Sequence, residues 1–155
     1  MRTDDIRQLL QTLLAHSNVK FLGVFPADRL PSLSAIRAFS PCCYVANTDK
    51  TGLAGSHWVA FYHPSPSRLE FFDSFGREAK NFGYDFDKSI QITHNSTEVQ
   101  GRGSKLCGQY CIFFLCHRAK GRSMRSIIRK FSQLPNSDSL VYSCIQTLMQ
   151  RIKRK

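Results

Sequence analysis

The feature that most constrains the fold is an apolar run in the second half of the chain. Residues 106–117, LCGQYCIFFLCH, are apolar on nearly every side of a helix and long enough for about three turns. Such a helix offers no face to solvent, so it has to lie inside the molecule with other elements around it. The segment 101–104, GRGS, comes just before it and predicts a flexible entry to the helix.

Shorter patterns on both sides of this run predict the elements that cover it. An amphipathic helix is indicated over residues 4–15, with Thr3 near its N-cap. Further patterns predict four strands over 42–46, 57–62, 69–73 and 90–93, and two helices over about 124–131 and 137–152. Turn-rich stretches between the first three strands favour a hairpin pair or meander. The chain of 155 residues is therefore predicted to be one α+β domain.

Positive charge is concentrated at the C-terminal end. Residues 118–155 carry +9 of the net charge of +11, from ten Lys or Arg against the single acid Asp138. Such a block favours a polyanionic partner, most often nucleic acid. The alternative is a solvated basic face that only keeps the protein soluble. The candidate DNA-binding residues are three arginines spaced to line one side of a predicted helix and three further cations: Arg122, Arg125, Arg129, Lys130, Lys153 and Arg154.

The cysteine pattern predicts free thiols and no metal site. The chain has six cysteines, no CxxC and no second Cys/His pair at a spacing that would complete a zinc site. No window approaches the ~18 apolar residues of a membrane span, and the first residues lack the plan of a signal peptide. We therefore expect an intracellular protein that is neither secreted nor bound to a membrane.

Cys107 is the candidate nucleophile. At the first turn of the apolar helix, unpaired backbone N–H groups would stabilise its thiolate, and Gly108 beside it would let a substrate approach closely. His57 and Asp73, at the start of one predicted strand and the end of the next, would lie side by side if these strands pair antiparallel. They would serve as base and orienting acid. Gln100 offers a side-chain amide to an oxyanion, together with the Cys107 N–H.

Each of these residues also has an ordinary structural explanation. A histidine before a tryptophan is often a hydrogen-bonded structural residue, an aspartate after a strand often forms a turn, and a glutamine in a glycine loop is usually solvated. The set Cys107, His57, Asp73 and Gln100 therefore needs a further observation to stand out from chance.

That observation is a resemblance carried by four ordered motifs. GSHWVAF at 55–61, FFDSFG at 71–76, VQG at 99–101 and CGQYC at 107–111 closely resemble those of the adenain family of adenovirus endopeptidases. The similarity covers about residues 20–118. Compact relatives of this kind occur in Polinton and adintovirus-like elements, and the Ulp-type SUMO proteases are more distant relatives with the same order of site residues.

The resemblance implies a papain-like fold with a mixed, mainly antiparallel sheet around the central helix. It implies Cys107 as nucleophile, His57 as general base, Asp73 as orienting acid and Gln100 in the oxyanion hole. Adenain is activated by a peptide joined by a disulfide to a cysteine at the position of Ser89 here, so that form of activation is not expected. Viral DNA serves the family as a cofactor, which makes DNA a possible activating polyanion; the chemistry itself requires no cofactor.

The sequence thus predicts a cysteine endopeptidase. The resemblance implies that it cuts capsid or virion precursor proteins after small, glycine-containing sites. We expect it to act as a monomer in the host nucleus and the virion. One alternative is a ubiquitin- or SUMO-deconjugating isopeptidase, which cuts after Gly-Gly. A second is a non-catalytic DNA-binding protein that uses the basic residues 118–155 and keeps the fold as a scaffold.

Overall fold

A computed structural model describes residues 1–53 and 56–155. Gly55 of the GSHWVAF motif lies outside these ranges. Within them the chain forms five strands, five α-helices and a short 3₁₀ helix. In chain order these are α1 (Thr3–Leu13), β1 (Lys20–Phe25), α2 (Leu33–Phe39), β2 (Cys42–Asn47), β3 (Trp58–Ser65), β4 (Arg68–Phe72), the 3₁₀ helix (Ala79–Phe82), β5 (Gln91–His94), α3 (Cys107–Ala119), α4 (Met124–Ser132) and α5 (Ser137–Lys153).

The five strands form one mixed sheet in the order β1-β2-β3-β4-β5. The predicted meander is confirmed, because β3 pairs antiparallel with both β2 and β4. The sheet is mixed, as the resemblance implies: β1 runs parallel to β2 and β5 runs parallel to β4, so two of its four pairings are parallel. Both of these pairs are joined by long connections, which is what parallel neighbours require.

The apolar helix α3 lies against the middle of this sheet, and the α+β prediction is confirmed. All residues of α3 from Gly108 to Leu115 are buried. The side chains of β3 alternate: Ala60 and Tyr62 face the core that contains α3, while Phe61 faces a second core on the other side of the sheet. The helix and the sheet meet closely, with the rings of Phe72 and Phe114 stacked at 4.6 Å.

The sequence patterns missed β1 and α2. The segment of β1 contains Gly23, which has a φ of +134°, and the pairing with β2 shifts register between Phe21 and Val24. This irregularity hides the alternation of a strand. Helix α2 spans seven residues and begins where the Ser32 side chain accepts a hydrogen bond from the Ala35 N–H. It is too short to show a clear periodicity.

Two further features concern the thiols and the helices. All six cysteines are free, and within the described ranges no three His, Cys, Asp or Glu side chains come close enough together to hold a metal ion. None of the helices in these ranges combines the length and the apolar character needed to cross a bilayer.

An ion pair anchors the C-terminal end of α3 to β4. Arg118 Nε and Nη2 each donate to a Glu70 oxygen at 2.8 Å, and the guanidinium lies 4.4 Å from the centre of the Tyr62 ring. Both charged side chains are only 14% exposed. Arg118 therefore stabilises the fold and is not free to contact phosphates, although it belongs to the basic C-terminal block.

We expect Arg118→Met to lower the free energy of unfolding by about 2 kcal/mol, because it leaves the largely buried Glu70 carboxylate without its partner. The exposed Arg125→Met should stay within about 0.5 kcal/mol of the wild type. Adding Glu70→Gln to Arg118→Met should recover part of the loss. Denaturant unfolding measures all four proteins, and equal effects for Arg118→Met and Arg125→Met would contradict this role.

Candidate active site

Cys107 is the first residue of α3, where its N–H has no partner within the helix. The side chain is partly buried. Burial raises the pKa of its thiol, but hydrogen bonds from the His57 side chain and from the backbone at Trp58 and Gly108 outweigh it, so the pKa lies below its ordinary value. The arrangement favours a thiolate, the nucleophilic form of cysteine.

His57 lies beside Asp73, as the antiparallel pairing predicts. His57 comes directly before β3 and Asp73 directly after β4, so the two residues meet at the same edge of the sheet. His57 Nε2 is 2.5 Å from Asp73 Oδ1. Burial alone would lower the pKa of His57, but Asp73 and Cys107 raise it to about 9. The imidazole is therefore positively charged at neutral pH. Nε2 is bonded to Asp73, so Nδ1 is the ring nitrogen that stays available to another partner.

Asp73 is completely buried, and both its backbone and its carboxylate are hydrogen-bonded. Its backbone N–H donates to Asn95 Oδ1 at 3.1 Å, and Asn95 Nδ2 donates to its carbonyl at 2.6 Å. Its Oδ2 accepts hydrogen bonds from Arg77. Burial raises the pKa of the carboxyl, but hydrogen bonds and charge from His57 and Arg77 lower this pKa by more. The carboxyl therefore stays ionised.

The turn after Asp73 depends on Gly76. Its φ is +74°, and an added Cβ would lie 2.9 Å from the Ser96 carbonyl oxygen. A side chain there would strain the backbone and collide with residues 96–97. In the FFDSFG motif, Gly76 is therefore required by the turn, whereas Asp73 is a candidate functional residue.

Gln100 is tied to the same turn through Ser74. The Ser74 carbonyl accepts from the N–H groups of Val99 and Gln100, and the Ser74 hydroxyl donates to Gln100 Oε1 at 2.6 Å. Gln100 Nε2 donates to the Ser104 carbonyl at 2.8 Å and lies 3.2 Å from Ser104 Oγ. The amide is fixed in place, with one of its two protons held by the Ser104 carbonyl.

The start of α5 holds this loop from the other side. Asp138 Oδ1 accepts a hydrogen bond from the Gly101 N–H at 3.1 Å and lies 2.6 Å from the Tyr110 hydroxyl. Ser137 Oγ donates to the Val99 carbonyl at 2.5 Å. The single acid of residues 118–155 thus fastens the Gln100 loop, beside a cavity of about 380 Å³ between that loop and the junction of α4 with α5.

Gly108 also has a packing reason to be glycine. An added Cβ would meet Ile6 Cδ1 at 3.2 Å, Trp58 Cδ1 at 3.3 Å and Met1 Cβ at 3.4 Å. The missing side chain makes room for α1 and Trp58 to pack on α3. Close approach of a substrate at Gly108 stays a prediction.

The six candidate DNA-binding residues are all exposed. Arg125, Arg129 and Lys130 lie on α4, whose Ile127 and Phe131 face the core. Arg122 comes before the helix, which begins at Met124, and its guanidinium contacts the His117 ring. The prediction that Arg122 belongs to the helical row is therefore wrong.

Ser89, at the position of the peptide-linked cysteine in adenain, is exposed in the turn before β5. Its hydroxyl and its N–H both donate to Asp87 Oδ1.

Four polar residues of this site were not singled out by sequence reasoning. Ser74 and Arg77 stand within four residues of Asp73, so the FFDSFG motif pointed to the segment but not to their contacts. Asn95 and Asp138 are distant in sequence, and only the folded chain brings them to Asp73 and to the Gln100 loop.

Comparisons with known proteins found similar sequences among the adenovirus proteases. No protein-family model matches it. It is 28% identical over 119 residues to a protein named Protease from Porcine adenovirus A serotype 3, covering 65% of this chain and 57% of that protein. It is 25% identical to the Protease of Bovine adenovirus 2, covering 96% of this chain and 80% of that protein. The chain spans little more than half the length of the first of these relatives.

A solved structure shares the fold. The crystal structure of an ASFV protease matches with a TM-score of 0.63 over 95% of this chain and 66% of that chain, at 18% identity. At this identity the likeness concerns the fold. The chain is therefore similar in sequence to the adenovirus proteases, as its adenain-like motifs predict, and it shares its α+β fold with the ASFV protease.

Proposed function

We propose that the protein is a cysteine endopeptidase. The observation that carries the proposal is the line of contacts from Cys107 through His57 to Asp73, in which the pKa of the thiol is lowered and that of the imidazole is raised to about 9. This is the charge pattern of a thiolate–imidazolium pair, which a cysteine protease needs before substrate arrives. The relationship to proteins named Protease supports the same reaction class.

In this mechanism the Cys107 thiolate attacks the carbonyl carbon of the scissile peptide bond and forms a tetrahedral intermediate. His57 then gives its proton to the leaving amine, and the C–N bond breaks to leave a thioester on Cys107. Neutral His57 next takes a proton from water, whose oxygen attacks the thioester carbon; the C–S bond then breaks, which releases the new carboxyl group and regenerates the Cys107 thiolate beside protonated His57. Asp73 keeps the imidazole oriented and stabilises its charge throughout.

The oxyanion would be stabilised by the Cys107 N–H and by Gln100. The Cys107 N–H is unpaired within its helix, and Gln100 Nε2 has a second proton besides the one held by the Ser104 carbonyl. The longer contact to Ser104 Oγ is the bond that an oxyanion would replace. Because Ser74 fixes the other end of the amide, little reorganisation is needed when charge develops.

The natural substrates would be capsid or virion precursor proteins, cut at glycine-containing sites in the host nucleus and the virion. The adenoviral source of the relatives supports this substrate class. The competing substrate is a ubiquitin-like conjugate joined through Gly-Gly. Cleavage of a capsid-precursor peptide and of such a conjugate, measured side by side, separates the two functions; no cleavage of either would favour the non-catalytic alternative.

DNA is the proposed polyanionic partner. The exposed cations of α4 and of the end of α5 lie on one continuous stretch of chain, residues 122–154, and no acidic side chain of the described residues forms an ion pair with any of the six candidates. Unpaired exposed cations are free to meet phosphates and to release their counterions. Binding would bring the enzyme to the genome with which its substrates are packaged.

Cys107→Ala should abolish hydrolysis of a fluorogenic glycine-containing peptide and leave the unfolding curve nearly unchanged, since it removes the nucleophile and little volume. Cys111→Ala, four residues on in the same helix, is the matched control and should remain active, because burial raises the pKa of that thiol well above its usual value. Iodoacetamide at neutral pH should label Cys107 first, as mass spectrometry of the digested protein would report. Labelling of Cys43 or Cys144 in place of Cys107 would contradict the assignment.

Gln100→Ala should lower kcat by ~10²–10³ with little change in KM, the usual effect of losing one oxyanion donor. Ser74→Ala should have a smaller effect in the same direction, since it frees Oε1 but leaves Nε2 in place. Gln91→Ala, an exposed glutamine on β5, serves as the control. Steady-state kinetics with the same peptide measures all three, and an unchanged kcat in Gln100→Ala would remove the residue from the mechanism.

Duplex DNA should bind without sequence preference, with an affinity that falls steeply with salt. Replacing Arg122, Arg125, Arg129 and Lys130 by Ala should reduce the slope of log K against log salt by about three to four. A control with four exposed cations replaced elsewhere, Arg29, Arg37, Lys50 and Arg68, should retain the slope. Fluorescence anisotropy at several salt concentrations gives these slopes. Salt-insensitive binding, or equal slopes for the two quadruple variants, would mean that the basic block serves only solubility.

A further inference from the structure

The carboxylate of Asp73 is shared between two partners. Oδ1 contacts His57 Nε2 at 2.5 Å. Oδ2 accepts from the Arg77 backbone N–H at 3.0 Å and from Arg77 Nε at 2.8 Å. A carboxylate with one oxygen held twice by the same residue cannot rotate about its χ2 angle, so the other oxygen stays on the imidazole.

The side chain of Arg77 is fixed by the same two rings that flank the imidazole. The guanidinium carbon is 4.7 Å from the centre of the Phe82 ring and 5.4 Å from that of Phe75. The His57 ring is 6.0 Å from Phe82 and 5.5 Å from Phe75. Arg77 and His57 therefore share one aromatic wall, with Asp73 between their polar ends.

We propose that Arg77 is a positioning residue of the active site, which fixes the Asp73 carboxylate and sets the pH range over which the Cys107–His57 pair is charged. The proposal rests on the proposed function of this site for its effect on catalysis. Its effect on the thiol is independent of any substrate. The residue lies in the turn after β4, outside the Cys, His, Asp and Gln set.

The direction of the effect follows from charge. Arg77 adds a positive charge beside Asp73, so it disfavours a second positive charge on His57 and favours the negative charge on Cys107. Removing Arg77 should therefore raise the pKa of both groups. The thiolate exists above the pKa of Cys107 and the imidazolium below that of His57, so both limbs of the pH profile should move to higher pH.

Other charged groups do not replace Arg77 in this role. On Asp73 the charged partners are His57 and Arg77, and on His57 they are Asp73 and Cys107. Cys111 is buried beneath the site. Burial and the negative charges of Cys107 and Asp73 all raise the pKa of its thiol, so it stays neutral.

Glu78, the next residue after Arg77, has its own partners. Its Oε2 lies 3.2 Å from Lys80 Nζ and its Oε1 lies 3.7 Å from His94 Nε2. Because the Arg77 side chain is 46% exposed, solvent screens its charge and the shift should be modest.

The test compares Arg77→Gln with Arg68→Gln. Both remove one positive charge, but Arg68 lies at the far end of β4. The rate of iodoacetamide alkylation of Cys107 against pH gives the apparent pKa of the thiol, and kcat/KM against pH gives both limbs. We expect Arg77→Gln to shift the limbs upward by about half a pH unit and to lower kcat about tenfold with little change in KM. Arg68→Gln should match the wild type.

Two further variants guard the interpretation. Arg77→Lys keeps the charge and should return the limbs to their wild-type positions while kcat stays reduced, because Lys lacks the Nε–H donor in the required place. Arg77→Met keeps the contact with the rings and should shift both limbs of the pH profile as Arg77→Gln does. It tests the same charge removal if Arg77→Gln does not fold.

Limbs that stay in place in both neutral variants, or that move equally in Arg68→Gln, would overturn the proposal. A shifted alkylation profile in a protein that cleaves no peptide would leave the inference about Arg77 standing and overturn only the protease function.

Discussion

The packing of α3 on the central strand β3 is the contact on which the rest of the structure depends. The helix is apolar on nearly all sides, so it is stable only when the sheet, α1 and α5 cover it. Its first residue, Cys107, is consequently fixed beside the start of β3, where His57 stands. The proposed nucleophile and base come together because a core helix and a core strand begin at the same end of the sheet.

Polar contacts extend outward from this junction in an ordered way. In the proposed thiolate–imidazolium state the charges alternate along the line from Cys107 through His57 and Asp73 to Arg77, and each group stabilises its neighbour. Such a line tolerates burial because every charge in it has a partner of opposite sign. Asp73 is fully buried, so its interaction with His57 is stronger than it would be in solvent, whereas the charge of the half-exposed Arg77 is screened.

A second set of contacts links the loop of Gln100 to two distant parts of the fold. Ser74 joins it to the end of β4, and Asp138 joins it to the start of α5. The basic block is likewise not uniform. Arg118 is committed to Glu70, and Asp138 faces the loop, while the cations of α4 and of the end of α5 point to solvent. One stretch of sequence thus contributes to core stability, to the candidate active site and to an exposed basic surface.

The sequence by itself determined the central helix, the meander and the four candidate site residues, because each depends on a local pattern. A continuous apolar run of about three turns predicted α3, short β-branched and aromatic runs predicted β2 to β4, and the motifs pointed to Cys107 and His57 in order. The pairing of β3 with β4 followed from their short connection, and with it the meeting of His57 and Asp73.

Only the tertiary structure decided which residues far apart in the chain contact one another. The place of Gly108 against Trp58, the parallel edge strand β1, and the attachment of Asp138 to the Gln100 loop left no local pattern in the sequence. Arg77 lies only four residues from Asp73, yet its role depends on a turn that folds its guanidinium back onto the carboxylate. These contacts are selected by the packing of the whole chain, in which buried polar groups must find hydrogen-bond partners, and no window of sequence contains that information.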